Sequence, residues 1–132
     1  MNKVVARYVD GRTVKGTTVD FFPAKDVFHV IDAAAPAGSP PVLINKQELK
    51  ALFFVRDLEG DPQRIKDKEA FPTRVAAGRR LQVVFKDGEV LTGTTAGYQP
   101  GRPGFFLEPE DASSNVERCY IVTASTREIV TL

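Results

Sequence analysis

The sequence predicts an all-β protein made of two tandem five-stranded small β-barrels that arose by internal duplication. The first observation is an ungapped repeat, in which residues 3–55 align with residues 80–132. The second is an Asp-Gly hairpin signal at the same place in each repeat, within Val9–Arg12 and Lys86–Glu89. The third is a series of short β-branched and aromatic runs separated by turn residues, which is typical of small barrels.

The repeat divides the chain into a first barrel at residues 1–58, a connector at 59–79 and a second barrel at 80–132. Each unit is close to the lower size limit for independent folding, so we expect the two units to support each other. In the connector, Asp61-Pro62 provides a helix N-cap followed by a proline at the first helical position. This predicts a short helix over Gln63–Ala70.

The strands before the two Asp-Gly turns alternate in polarity. The residues predicted to face a core are Val4, Ala6 and Tyr8 in the first repeat, and Leu81, Val83 and Phe85 in the second. The Asp-Gly pairs predict type I′ turns. Gly16 and Gly93 interrupt the following strands at equivalent positions, which predicts a bulge or a bend in each.

Third strands are predicted at Val27–Ile31 and Phe105–Leu107, and fourth strands at Val42–Ile44 and Cys119–Ile121. The segment after the first fourth strand, Asn45–Glu48, has the pattern of a helix-capping box. Its continuation corresponds in the second repeat to a β-branched run that ends the chain. We therefore predict a tight turn followed by a fifth strand.

The fifth strand of the first repeat contains four successive apolar residues, Leu52, Phe53, Phe54 and Val55. A strand of this kind is expected to be buried on both faces. One face would fill its own barrel, and the other would contact the second unit or another copy of the chain. We predict these four residues as an interface.

Composition and charge restrict the classes of function. The net charge is +1, and no apolar run approaches the roughly 20 residues of a membrane span. The start of the chain runs directly into a strand pattern, and the whole sequence contains one cysteine. We therefore expect a cytoplasmic protein without a signal peptide or an internal disulfide.

Positive charge is concentrated around the connector, where residues 61–80 carry six basic and three acidic side chains. Arg74, Arg79 and Arg80, together with Arg102 in the second repeat, are candidate anion-binding residues. The alternative is a solvated linker. Arg79 and Arg80 are adjacent in an extended segment, so their side chains are expected to point to opposite sides.

No constellation of catalytic residues is visible. His29 alternates with core positions and is predicted on the outer face of a strand, while Cys119 falls in a predicted core strand. One histidine and one cysteine do not suffice for a typical zinc site. The sequence therefore predicts a non-enzymatic protein without catalytic, cofactor-binding or metal-binding residues.

Both repeats resemble the Sm-like fold. Val5–Arg12, continued through Gly16 to Phe21, resembles the first Sm motif, and Val42–Ile44 with Leu49–Leu52 resembles the second. The resemblance implies a strongly bent, five-stranded, SH3-like barrel. Sm proteins bind RNA through an aspartate and an asparagine before the third strand, and those positions hold other residues here: Phe22 and Asp26 in the first repeat, and Gln99 and Pro103 in the second.

Two further resemblances bear on function. The segment Leu49–Asp61 is similar to an uncharacterised bacterial family whose members carry a Leu-Lys-Ala-x-Phe-Phe-Val-Arg-Asp-x-x-Gly-Asp run. Arg74, Arg79 and Arg80 precede a barrel strand, as do the arginines of PilZ domains, which bind cyclic di-GMP. The PilZ arginine spacing is absent, and Ala96–Tyr98 lacks the aspartate and serine of the second PilZ motif.

Two functions follow as hypotheses. The first is a binding or scaffold module that contacts a protein partner or self-associates as a homo-oligomer through its apolar fifth strand. The alternative is a module that binds a nucleotide, such as cyclic di-GMP, or single-stranded nucleic acid through the basic connector. A net charge of +1 gives weak long-range attraction to a polyanion, which favours the first.

Overall fold

The fold is all-β, as predicted, in a computed structural model that describes residues 1–58, 78–110 and 115–132. The predicted connector helix lies outside these residues. Two short 3-10 turns, Lys46–Glu48 and Thr123–Ser125, precede the last strand of each half. The strands are β1 (Asn2–Tyr8), β2 (Thr13–Thr18), β3 (Val27–Asp32), β4 (Val42–Asn45), β5 (Leu49–Val55), β6 (Arg79–Phe85), β7 (Val90–Thr95), β8 (Gly104–Pro109), β9 (Val116–Val122) and β10 (Thr126–Thr131).

All ten strands belong to one antiparallel sheet with the order β10-β6-β7-β8-β9-β5-β1-β2-β3-β4. The terminal strands β10 and β4 are not paired with each other, so the hydrogen-bonded ladder is open. This differs from the expectation of two separate closed barrels. The reason is that β9, the fourth strand of the second half, pairs with β5 of the first half.

Strand pairing within the first half recurs at the equivalent positions of the second half. The agreement includes the bulge in the ladder between the first and fifth strands of each half. The corresponding pairs include Val4↔Gly16 and Leu81↔Gly93, Val4↔Phe54 and Leu81↔Thr131, and Phe28↔Ile44 and Phe105↔Ile121. The sequence repeat is thus also a repeat of backbone register.

The two Asp-Gly hairpins have the same geometry, but it is not the predicted type I′. Glycines are the only described residues with positive φ, so Asp10 lacks the conformation that a type I′ turn requires. Instead, the amide of Gly11 donates to the Tyr8 carbonyl, and the amide of Tyr8 donates to the Arg12 carbonyl. This is a type I turn closed by a left-handed glycine, with φ of 94° at Gly11.

The buried side chains of the described residues form two cores. The first contains residues from β1, β3, β4 and β5 of the first half, together with Tyr120 and Val122 from β9. The second contains residues from β6, β8 and β9, together with Ala51, Phe53 and Val55 from β5. Each core is therefore completed by side chains from the other half of the chain.

Gly16 and Gly93 lie within β2 and β7, where the neighbouring strand passes very close. A Cβ atom at Gly93 would lie 2.2 Å from the main-chain oxygen of Glu108, and one at Gly16 would lie 1.9 Å from that of Ile31. Both contacts involve backbone, which cannot rotate away as a flexible side chain could. Glycine is required here for close packing of main chain against main chain.

We expect Gly93→Ala to lower the free energy of unfolding by about 1–3 kcal/mol or more, because the new methyl group overlaps the backbone of β8. Gly97→Ala is the matched control, since a Cβ there has no atom within 4 Å. It should change stability by less than about 0.5 kcal/mol. Urea unfolding followed by circular dichroism measures both, and equal effects would contradict this explanation of Gly93.

Candidate functional site

The junction between the halves is the antiparallel ladder of β5 and β9. It pairs Ala51 with Ile121, Leu52 with Tyr120, Phe53 with Cys119 and Phe54 with Arg118. The amide of Arg56 extends the ladder by donating to the Asn115 carbonyl at 2.9 Å. Main-chain pairing, and not side-chain contact alone, therefore joins the two halves.

The four residues predicted as an interface lie in this junction. Leu52 and Phe54 pack into the first core, whereas Phe53 and Val55 pack into the second. All four are buried, with at most 8% of any residue exposed. The second face of this strand is thus covered by the second half of the same chain.

An aromatic cluster covers one side of the junction. Phe21 of the first half contacts Phe106 and Tyr120 of the second, and Phe54 contacts Phe106, with ring centroids 5.2–6.2 Å apart. The guanidinium carbon of Arg118 lies 4.5 Å from the Phe54 centroid and 4.6 Å from that of Phe106. These edge-on and cation–π contacts add specificity to the apolar packing of the two halves.

Lys46 lies beside the same cluster. Its Nζ is 4.5 Å from the centroid of Phe21 and 5.3 Å from that of Tyr120, and it donates to the carbonyl of Phe22. Burial lowers the pKa of Lys46. The amine is held by a main-chain acceptor and two rings, so it stabilises the junction and is poorly placed to act as a general base.

A charged cluster lies on the other side of the junction, at the bulge in β5. The Nζ of Lys50 donates to Asp87 Oδ2 at 2.7 Å and to Glu89 Oε1 at 2.5 Å. It also lies 4.6 Å from the centroid of Phe85. Hydrogen bonding to Lys50 lowers the pKa of Asp87. A nearly buried lysine of the first half thus holds the hairpin turn of the second half.

A groove of about 440 Å³ runs beside this charged cluster, between the two halves. Its walls are formed mainly by the turn after β6 and the two 3-10 turns. The Ser125 hydroxyl, in one of these turns, donates to the Lys50 carbonyl at 2.8 Å. Because Lys50 and Asp87 are already paired with each other, the groove presents few polar groups that are ready to bind a ligand.

The two ends of the sheet are the other candidate site. Among residues 1–58, 78–110 and 115–132, no strand pairs with the outer side of β4 or of β10. Leu43 on β4 is 61% exposed, whereas its equivalent on β9, Tyr120, is 4% exposed. Leu132, just after β10, is 55% exposed, whereas its equivalent, Val55, is 7% exposed. Tyr120 and Val55, which are buried at the internal junction, thus have exposed counterparts at the ends of the sheet.

Main-chain amides at these two ends also point away from the sheet. The amide of Lys46 donates inward to the Asp26 carbonyl, and the amide of Leu132 donates inward to the Arg80 carbonyl, each at 2.9 Å. Donors alternate between the two sides of an antiparallel strand. The amides of Leu43 and Ile129 therefore point away from the sheet.

The structure does not bring the predicted anion-binding arginines onto one common partner. A guanidinium nitrogen of Arg79 donates to the Tyr98 carbonyl, whereas Arg80 forms an ion pair with Glu110 at 2.6 Å. Arg102 lies in the exposed turn between β7 and β8. Arg74 lies outside the described residues. Each of the two adjacent arginines is thus engaged separately.

The histidine and the cysteine are in the environments that the sequence predicted. His29 is exposed on β3, and its Nδ1 lies 2.7 Å from Asp20 Oδ2. Cys119 is completely buried, and burial raises the pKa of its thiol to about 12. Within the described part of the chain, no three side chains of the metal-binding types come together.

Comparison with known proteins identifies a family but no activity. The sequence model of one family, described as a family of unknown function, matches residues 1–132. The chain belongs to this family, DUF6982. Searches of curated proteins and of solved structures found no match. In the portion of this DUF6982 member that the structure describes, no helix has the length and apolar character needed to cross a bilayer.

Two features of the junction were not predicted from the sequence. The first is the pairing of β5 with β9, two strands that lie far apart along the chain, one in each repeat. The second is the cluster of Lys50 with Asp87 and Glu89. A lysine inside an otherwise apolar strand was a usable signal for the cluster, because a buried amine needs acidic partners.

We expect Phe54→Ala to lower the free energy of unfolding by about 3–5 kcal/mol, because the side chain fills the first core and contacts rings from both halves. Phe22→Ala is the matched control, since Phe22 is 50% exposed and outside both cores. It should cost less than about 1 kcal/mol. Chemical denaturation distinguishes the two, and a tolerant Phe54 would show that the junction is not critical for stability.

The cluster at Lys50 predicts a dependence on pH. The pKa of Asp87 is lowered in the folded state, so its contribution to stability is present above its unfolded value of 3.8 and is lost as pH falls through the folded value. Lys50→Met should therefore be less stable than the wild type at pH 7. The difference between the two should shrink as pH falls below about 4.

Lys86→Met is the control for this experiment, because Lys86 is an exposed lysine in the same hairpin turn. Unfolding curves of the three proteins at pH 7, 5 and 3 provide the measurement. A constant difference between wild type and Lys50→Met across this range would contradict an electrostatic role for Lys50.

Proposed function

We propose that this member of DUF6982 is a non-enzymatic binding module that contacts other polypeptides through the two ends of its sheet. The observation that carries the proposal is the pair of outward-facing strands β4 and β10, with exposed apolar side chains at Leu43 and Leu132. An exposed edge strand of a sheet offers main-chain donors and acceptors to an extended segment of a partner.

We also infer that the two halves are SH3-like small barrels derived by duplication. The support is the identical backbone register of the halves and the order of strands within each, which runs fifth, first, second, third, fourth. In this interpretation, the end strands of each barrel are its binding surfaces. One such pair, β5 and β9, is used inside the chain, and the other pair is left for partners.

The environments of the reactive side chains support a non-enzymatic role. The Cys119 thiol is buried with a raised pKa, so the nucleophilic thiolate is strongly disfavoured at neutral pH. His29 is paired with Asp20, and the neighbouring hydroxyl of Thr18 donates to the His29 carbonyl at 2.7 Å. A single buried cysteine also suits the reducing environment of the cytoplasm, which we propose as the location.

The alternative function is binding of a cyclic dinucleotide or single-stranded RNA. One observation favours it: Arg79 lies 5.8 Å from the centroid of Tyr98, which places a cation beside a half-buried ring. Calorimetric titration at low salt tests the alternative. Saturable binding that is abolished by Arg79→Ala would support it, whereas an absence of heat would remove it.

Affinity capture from the cells that make the protein tests the principal proposal. The bait is the full chain, and the comparison bait carries Leu43→Pro and Thr131→Pro, which place proline rings at the two outer edges. We expect a protein partner that the wild type retains and that the double variant loses. Hydrogen exchange with the purified partner should then show protection of the β4 or β10 amides.

Phe22→Ala is the matched control bait, because it removes an exposed aromatic ring without altering either edge. A partner that all three baits retain equally would contradict binding at the sheet ends. Recovery of nucleotide or RNA in place of protein would instead support the alternative function.

A further inference from the structure

The ends of the sheet are counterparts of the strands that join the two halves. When the two repeats are aligned, β10 corresponds to β5 and β4 corresponds to β9, with equal registers against their inner neighbours. In one chain, β5 and β9 are paired, whereas the outer sides of β10 and β4 have no partner strand among the described residues. The internal junction is therefore a template for a junction between two chains.

We propose that β10 of one chain pairs with β4 of a second copy, head to tail, in the register of the internal junction. This inference rests on the proposed function and names the partner. The template pairs Leu52 with Tyr120 and Phe53 with Cys119. Transferred to the equivalent positions of the other repeat, it pairs Ile129 with Leu43 and Val130 with Val42 of the second copy.

The directions of the main-chain groups agree with this register. The outward amides of Leu43 and Ile129 belong to residues that the register places opposite each other, so the two residues can exchange two hydrogen bonds. Val130 and Val42 then form the neighbouring pair without hydrogen bonds, in which Cα atoms lie about 4.5 Å apart. No shift of register is needed to satisfy the donors.

Side chains at the two ends are compatible with the same arrangement. Tyr120 of β9 inserts into the first core, so Leu43 would insert beside the equivalent second core, where Tyr98 and Phe105 are in contact at 4.8 Å. At the internal junction the Lys50 side chain meets Asp87 and Glu89, and the counterparts of these three residues are Arg127, Asp10 and Arg12. A second copy thus covers exposed Leu43 and brings the paired Asp10 and Arg12 side chains to Arg127.

An interface of this type uses different surfaces on the two chains, so it extends into a closed ring or an open filament. Two edge variants test this feature. Thr131→Pro blocks β10 and leaves β4 intact, whereas Leu43→Pro blocks β4 and leaves β10 intact. Both positions have outward amides, so neither proline removes a hydrogen bond within the sheet.

Analytical ultracentrifugation of the full chain gives the first measurement. The average mass of the species in solution should increase with concentration for the wild type, and each variant alone should be monomeric. An equimolar mixture of the two variants should form a one-to-one dimer and nothing larger, because one blocked edge of each kind ends growth. Circular dichroism and thermal unfolding verify that both variants are folded.

Cysteine cross-linking gives the second measurement and tests the register. Chains carrying Val42→Cys and chains carrying Val130→Cys are mixed and mildly oxidised, and we expect a disulfide-linked dimer of the two. Val42→Cys mixed with Glu128→Cys is the control, since the diagonal distance of about 7–8 Å is too long for a disulfide. The matched pair should cross-link several times more than the control pair. The native Cys119 should not take part in the cross-linking, because it is completely buried.

A wild type that is monomeric at every concentration, or equal cross-linking of the two cysteine pairs, would overturn the inference. A dimer that forms from Leu43→Pro alone would also overturn it, since head-to-tail pairing requires both edges. These failures are separate from failure of the proposed function. Capture of a different protein by the edges of a chain that is itself monomeric at every concentration would preserve the binding module and exclude the second copy.

Discussion

The pairing of β5 with β9 is the interaction on which the rest of the structure depends. Each of these strands sends alternate side chains to opposite faces, so Phe54 and Tyr120 enter one core while Phe53 and Cys119 enter the other. A half of about 55 residues buries so small a share of its surface that its stability alone would be marginal. Because these two strands are paired, each half buries apolar side chains against those of the other, which couples the folding of the two halves.

The internal junction and the free edge at β10 have the same backbone arrangement but different side chains, so the two surfaces differ in how strongly they can bind a strand. Phe53 and Phe54 at the internal junction correspond to Val130 and Thr131 at the free end, and the Lys50 bulge corresponds to Arg127. Lys50 meets Asp87 and Glu89, whereas the counterparts of these acids are Asp10 and Arg12, which pair with each other at 2.7 Å. The internal junction is therefore more apolar, and better matched in charge, than a junction formed by the free ends of the sheet would be.

Local features of the fold could be predicted from the sequence, and the connection between the halves could not. Alternation of apolar and polar residues identified Val4, Ala6 and Tyr8 as core residues. Comparison of the two repeats correctly predicted a turn and a strand after Asn45 in place of a helix. The type I′ prediction failed because Asp-Gly also suits a type I turn whose left-handed residue is the glycine. The apolar run of β5 indicated a second partner, but nothing local to that run indicates β9, because pairing at long range depends on the shape of both halves.

Edge strands expose a protein to uncontrolled aggregation, and β4 shows how this risk is limited. Strand β9 extends over Val116–Val122, but its counterpart β4 covers only Val42–Asn45 and is preceded by Pro40-Pro41. Pro41 stands at the position of Arg118, so it lacks the amide that could extend a ladder, and it also lacks the guanidinium that lies against Phe54 and Phe106. A partner strand can gain few hydrogen bonds there, and its contacts are smaller than those at β9. Association at this edge is consequently expected to be weaker than the internal junction and reversible, whereas the two halves of one chain stay joined.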